Sequence, residues 1–527
     1  MLDSIKQVFI NLSRPLAALA LLAALLGLVS PAGAQPQTGP VDADFAPIDT
    51  LMRQYLAARK FPGATVVIGY GDRIIYAQSY GYADVARAIP LSPWQESRLG
   101  SVSKPLTAAA VMRLVEQGRV GLDAPAWNYI SSVLGTTQPA DARLKQVTVR
   151  QLLTHTWGLN RAVSPDPVGL WYPDGQGGFV VGARDMLRYH LQRMTLNFAP
   201  GARYAYNNTG FVWLQQIAEA VDGRPIEAQL TAMLGPEALS PGRIRFGLVP
   251  PSQLTPAEPR YYDYVGARLY APVPGLYPAP APAQVAGPDG AFTNVGYGGS
   301  GGFVASPLTV VRFIQRLSGQ RQPSLLNAAT RRLMFTEQTL ADGTRYEGLG
   351  LSSYNPYTPD DYALNFSGGQ IGARNAGTST PREPRGPMLT VFVQSNGTPV
   401  GQGSEVVDNP STEILTPLVF AMDGIANYRS KPEISTDRLI AWASPTQDHY
   451  ADMLFDWAQR AFPALFPGAA QAGVFEGYRY RYYASTQTYL GIRDGQIYLY
   501  QPAQSPVIQP IASMATYLPQ AQAELGR

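Results

Sequence analysis

The sequence predicts an α+β protein that carries a second, smaller α+β module at its C-terminus. Three observations lead there. Ala64 to Tyr82 reads as a β-hairpin, with apolar and aromatic residues on both arms and Gly71-Asp72 at the turn. Ser101 to Gln117 places Leu106, Ala109, Ala110, Met112 and Val115 on one helical face and ends at Gly118, a C-cap residue. Far downstream, Tyr478 to Tyr483 alternates as a strand, and Tyr489 to Tyr500 folds about Asp494-Gly495 as a second hairpin.

Taken in order, residues 1–34 have the features of a signal peptide. Lys6 and Arg14 form a basic stretch, Leu16 to Val29 an apolar run, and Ala32-Gly33-Ala34 a small-x-small cleavage pattern. The run is short for a membrane span, so the expected location is the periplasm or the cell exterior. Ala46 to Arg59 has helical spacing through Ile48, Leu51, Met52, Tyr55 and Leu56. Thr148 and Gln151 form a capping box that opens a helix through Leu153, and Phe211 to Val221 is a further helix. Pro250 to Gly290, rich in Pro, Tyr and Ala, reads as a long loop outside the core. Gly298 to Ser306 is glycine-rich and leads into a helix at Pro307 to Leu317, and strand-like stretches follow at Tyr362 to Phe366 and Met388 to Gln394.

The periodic pattern fades near Tyr428 to Ser444. This gives a principal domain over 41–425, a linker over 426–446 and a Tyr-rich module over 447–527 with a helix between Tyr450 and Phe466. Tyrosine faces can stack on sugars, which would make the module a cell-envelope contact; a hairpin core of cross-strand aromatic pairs is the preferred reading.

Composition narrows the function classes. A chain of 527 residues that is 45% hydrophobic can bury a sizeable core. A net charge of +3 supplies no field that would hold nucleic acid. There is no Cys, which excludes disulfides and a lipid-modified Cys anchor. Three scattered histidines form no zinc-ligand pattern, and no phosphate-binding glycine loop precedes a helix in strand context. Neither metal nor organic cofactor is expected.

Three stretches carry chemistry. Ser101-Val-Ser-Lys104 sits at the start of the strong helix, where a spacing of three puts the hydroxyl and the amine side by side. Serine attacks only when a base takes its proton, and a desolvated lysine can be that base. The helix start also offers positive dipole character to a developing oxyanion. A Ser-x-x-Lys is expected by chance about once in a chain of this size. The chain has lysines only at 6, 60, 104, 145 and 431, and only Lys104 follows a Ser by three. Tyr206-Asn207-Asn208 supplies a phenol that can carry a proton and an amide that can hold Lys104 or a substrate carbonyl. Phe366-Ser367-Gly368-Gly369 lies on or after a strand, where a glycine lets a substrate come close and its N–H can complete an oxyanion hole. Gly298-Gly-Ser300-Gly-Gly302 also fits Gly-x-Ser-x-Gly, but its flanks lack the strand-turn-helix context, so it reads as a bend. His155 and His190 read as packing or capping residues.

In order and context these stretches resemble the serine β-lactamase-like hydrolases: class C β-lactamases, D-alanyl-D-alanine carboxypeptidases and family VIII esterases. The matching segments run from Gly100 to Val111, Val149 to Leu159, Pro200 to Gly210 and Gly301 to Ser306, and the likeness covers roughly Phe45 to Met422. The resemblance implies an antiparallel sheet flanked by helices with a helical subdomain (β-lactamase/transpeptidase-like). It also implies Ser101 as nucleophile, Lys104 as its base, Tyr206 as proton carrier and Asn208 as the third residue of the second motif. Where the family has Lys or His before Ser/Thr-Gly this chain has Phe366, and where it has Ser this chain has Trp157. The lost cation favours an ester with an apolar part; Arg374 is a candidate replacement, and Trp157 a candidate for the site wall.

The expectation is an exported serine hydrolase that forms an acyl-enzyme on Ser101. Substrates rank as carboxylic esters, then D-alanyl peptides (a carboxypeptidase), then β-lactams (a β-lactamase). The alternative from another class is a non-catalytic envelope binding protein of the same fold.

Overall fold

The computed structural model describes residues 35–513 apart from 136–137, 165–171, 174–178, 181, 236–243, 248–257, 264–268, 275–280, 293, 341–342, 344, 347, 359–360, 399–410, 435–446, 476–477, 494–495 and 502–508. The expected signal peptide and the expected Asp494-Gly495 turn therefore lie outside the described residues. The chain divides into two compact units, one of residues 42–77 and 93–434, the other of 1–41, 78–92 and 435–527.

The larger unit is built on an antiparallel sheet. Its elements are helix α1 (Ala46–Arg59), strands β1 (Gly63–Tyr70) and β2 (Arg73–Asp84, of which 73–77 fall in this unit), helices α2 (Ser103–Glu116), α3 (Trp127–Leu134), α4 (Val149–Leu153), α5 (Ala183–Leu191), α6 (Thr209–Asp222), α7 (Ile226–Leu234) and α8 (Pro307–Leu317), and strands β3 (Ser352–Tyr354), β4 (Ala363–Gln370), β5 (Ala373–Pro381) and β6 (Met388–Ser395). The strand order is β2-β1-β6-β5-β4-β3. The β1–β2 hairpin and the bounds of α1 and α8 are as the sequence predicts.

Every residue of β1 and of β6 is buried, so the central strands need cover on both faces. Helices α8 and α1 both pack on β1 and supply it. A second, helical region gathers around α6, which is buried without a break from Thr209 to Ala218 and touches α2, α3, α4, α5 and α7. Helix α2 departs from the amphipathic expectation: eleven of its residues, Ser103 to Met112 and Leu114, are buried. A helix walled in on all sides is the centre of a domain rather than its surface.

Two further expectations are corrected. Parts of the Pro250–Gly290 stretch belong to the interior. Glu258 there is buried and takes Arg245 at 2.9 Å and the Tyr261 hydroxyl at 2.6 Å, because a buried carboxylate is stable only with such partners. The expected linker begins too early: Tyr428 and Ile434 are buried, and Ile434 N–H donates to Ile74 O at 2.9 Å, so the packed unit runs to Ile434.

In the C-terminal module, helix α9 (Gln447–Ala461) packs on a five-stranded antiparallel sheet of β7 (Gln471–Phe475), β8 (Tyr478–Tyr483), β9 (Thr488–Arg493), β10 (Gln496–Tyr500) and β11 (Gln509–Ser513). Of its tyrosines, Tyr483 belongs to the core. Tyr483, Leu490, Ile492, Ile497 and Leu499 are the buried face. Tyr480, Tyr482, Tyr489, Tyr498 and Tyr500 share the opposite, half-buried face, where Tyr482 and Tyr489 stack at 4.4 Å. Strand alternation makes that division, since register partners share a face.

Candidate active site

A turn and a strand meet backbone to backbone at the centre of the larger unit. Leu99 leads into a single 3-10 turn, Gly100–Val102, and α2 begins only at Ser103, so Ser101 sits on the turn before the helix. Gly100 has φ +53°, and a Cβ there would lie 2.6 Å from Gly369 N. On the other side a Cβ on Gly368 would run into Leu99 O and lie 2.6 Å from Ser101 N. Both glycines are there because no side chain fits between the two backbones. Beyond Asn365, β4 has β5 on one side and no described strand on the other. That open edge brings the Gly369 amide to the nucleophile turn.

The polar groups converge on Ser101. Lys104 Nζ lies 3.0 Å from Ser101 Oγ, and Tyr206 OH lies 2.6 Å from the same atom. Lys104 is 4% exposed and donates to Asn208 Oδ1 at 2.7 Å and to Ser300 O at 2.8 Å. These three neighbours suit either protonation state of the amine. An ammonium donates to all three; a neutral amine donates to the two carbonyl oxygens and accepts the serine proton on its lone pair. A proton can pass along the 3.0 Å axis without any heavy atom moving.

Ser300 enters through its main chain. The bend Gly298–Ser300 is pinned between α2 and α6: Thr107 Oγ1 donates to Gly299 O at 2.7 Å, and Gly299 N–H donates to Gln215 Oε1 at 2.8 Å. The stretch is a bend, as its sequence suggests, but one whose last carbonyl holds the base. Sequence reasoning missed this because a carbonyl has no side-chain signature.

His155 is the second residue it missed. It follows the α4 capping box at φ +56° and is buried. Its carbonyl accepts from Ala205 N–H at 2.9 Å, and its Nδ1 accepts from Asn207 N–H at 3.3 Å. Those residues flank Tyr206, and the imidazole packs 4.6 Å from the Tyr206 ring. His155 thus clamps the phenol from both sides in sequence and from one face in space. Burial, with the Lys104 charge in support, pulls its pKa down to about 3, so the ring is neutral and its proton sits on Nε2.

The remaining candidates divide. Ser367 and Gly369 are exposed on β4, while Phe366 and Gly368 alternate to the buried side. Phe366 is not a substrate contact: it lies over its register partner Gly377 against Phe392, with ring centroids 5.9 Å apart. Trp157 does not line the site either. It is fully buried against Gly210, 5.9 Å from Trp213, because a side chain this large at a helix junction is drawn into the core. Arg374 pairs in register with Gly369 and stands beside it, its Nη1 donating to Gln370 O at 3.1 Å and Ala373 O at 3.2 Å. Arg161, unremarked in the sequence, is exposed with its guanidinium 5.0 Å from the centroid of the Tyr206 ring.

A nucleophile, a base in contact with it, a proton carrier and a nearby open strand edge make an arrangement competent for acyl transfer. Several known proteins are similar to this chain. The Beta-lactamase family model matches residues 48–409. The chain is 31% identical over 201 residues to esterase EstB of Burkholderia gladioli, a match covering 36% of this chain and 48% of that one. It is 28% identical over 177 residues to penicillin-binding protein 4* of Bacillus subtilis (strain 168), covering 33% and 36%. The matches thus span less than half the length of these relatives. The solved structure of EstCE1, a hydrolase with promiscuous acyltransferase activity, superposes with a TM-score of 0.53 at 20% identity over 71% of this chain and 98% of that one; at this identity the likeness concerns the fold.

Proposed function

This chain belongs to the β-lactamase family, and from that premise we propose that it is an exported serine hydrolase working through an acyl-enzyme on Ser101, with carboxylic esters as the preferred substrates. The observation that carries the proposal is Ser101 Oγ held between Lys104 Nζ at 3.0 Å and Tyr206 OH at 2.6 Å.

The neutral Lys104 amine takes the Ser101 proton as Oγ attacks the ester carbon, and the carbonyl oxygen becomes an oxyanion facing the Ser101 and Gly369 amides. Collapse breaks the bond to the alkoxide, which receives a proton through Tyr206, resupplied from the Lys104 ammonium. Water then attacks the acyl-enzyme, giving its proton to the same pair, and Ser101 leaves with a proton restored. Asn208 and Ser300 hold Lys104 aligned throughout. Esters rank first because the esterase is among the relatives.

Hydrolysis of p-nitrophenyl esters by the wild type and by Ser101→Ala, Lys104→Ala and Tyr206→Phe tests this. Losses of at least about 1,000-fold are expected for the first two, since a nucleophile and its base act as a unit, and about 100-fold for the third. Equal rates in all four proteins would place the chemistry elsewhere. Penicillin then ranks the substrates: a stable acyl adduct or fast turnover, seen by intact mass, would move β-lactams ahead of esters.

A further inference from the structure

We propose that Arg161 is a carboxylate anchor, so that the preferred esters carry a carboxylate on the alcohol they release. This rests on the serine hydrolase reading above and names the substrate class of that same site.

Three cations stand close to the nucleophile, and two are committed. Lys104 is buried, with its amine on Ser101, Asn208 and Ser300. Arg374 directs Nη1 to two backbone carbonyls, and the Asp263 carboxylate is near enough to act on its charge. Arg161 differs. It is exposed, and among the described residues no carboxylate pairs with it and no acceptor takes its N–H groups. Among the described residues it lies against the Tyr206 ring, whose centroid is 5.0 Å from the guanidinium carbon. A guanidinium set against an aromatic ring is oriented by the cation–π attraction while its N–H donors stay available. Two of those donors match the two oxygens of a carboxylate.

The position also says which part of the substrate is read. Tyr206 is the group that returns the proton to the departing oxygen. A cation on its ring therefore stands on the leaving-group side of the scissile bond. An anionic group there is held as the bond breaks, and the negative charge gathering on the departing oxygen meets the same field. The class implied is an ester of a hydroxy acid, with amides of amino acids as the nitrogen counterpart.

The test compares 4-acetoxybenzoate with 4-acetoxybenzamide, which release phenols of nearly the same shape, one charged and one neutral. The wild type should favour the carboxylate by about tenfold in kcat/KM, the size of one partly solvated charge-assisted hydrogen bond. Arg161→Gln should bring that ratio to about one, whatever it does to the rate common to both esters, and Arg161→Lys should keep part of it. A ratio unchanged in Arg161→Gln, or one abolished only by Arg374→Gln, overturns the inference while leaving the serine hydrolase intact. Failure of the wild type to cleave either ester, with Ser101 unlabelled by a fluorophosphonate, removes the parent reading and this inference with it.

Discussion

His155 shows how a single residue sets both the chemistry and a stability limit. Neutral, it accepts from Asn207 N–H and supports the Tyr206 ring; protonated, it loses that acceptor and gains a charge beside Lys104. Its folded pKa of about 3 lies below the ordinary histidine value of 6.5, so below pH 6.5 the unfolded chain binds the proton first. The stability due to its neutral state is complete above pH 6.5 and falls as the pH drops toward 3. The loss by pH 5 is about 2 kcal/mol, from ~1.4 kcal/mol per pH unit for one proton. Urea unfolding at pH 7 and pH 5 should show that much more pH sensitivity in the wild type than in His155→Gln. His190, whose pKa burial lowers to about 4, keeps its own share in both proteins. Equal pH sensitivity would show that His155 is not held neutral. At this scale the sequence was legible where side-chain chemistry and short spacing coincide: Ser101, Lys104, Tyr206 and Asn208 all converge. Ser300 and His155 were not, since one acts by a carbonyl and the other by its position under a ring.

Among the elements, the meeting of β4 with the turn Gly100–Val102 decides whether an active site exists. Gly368→Ala puts a methyl group against Leu99 O and Ser101 N, both main-chain atoms that cannot rotate away. The strand must then draw back, taking the Gly369 amide with it. We expect esterase activity to fall by at least about 100-fold, as misplacement by about 1 Å does, with a stability loss of about 2 kcal/mol typical of overpacking. Near-normal kcat in folded Gly368→Ala would refute this packing. The neighbouring strand β5 was among the elements sequence reasoning missed. Ala-Arg-Asn-Ala-Gly-Thr-Ser-Thr-Pro has neither alternation nor a β-branched core pattern, yet it pairs with β4 on one side and β6 on the other. A strand between two others is held by its neighbours' hydrogen bonds and needs little propensity of its own.

At the scale of the whole molecule, all the groups assigned to the reaction fall within the unit of residues 42–77 and 93–434. Export is the property that concerns the entire chain. The basic, apolar and small-residue order of residues 1–34 motivates it, and a chain without Cys can enter an oxidising compartment without mispairing thiols. N-terminal sequencing of protein recovered from the periplasm or culture medium should begin at Gln35. Recovery only of an uncleaved chain from the cytoplasm sinks the proposal.

The sequence by itself determined many local elements and pointed to the proposed reactive set, because caps, turns, apolar periods and a serine one helical turn from a lysine act over a few residues. It also determined the module boundary approximately, through the fading of pattern after Tyr428. Only the tertiary structure decided which apparent site residues were packing, sending Phe366 and Trp157 into the core, and which tyrosine of the module, Tyr483, enters its core. It also decided which distant groups lie beside that set: a carbonyl at 300, an imidazole at 155 and a guanidinium at 161. Contacts between residues far apart in the chain depend on how whole layers pack, and no short-range pattern encodes them.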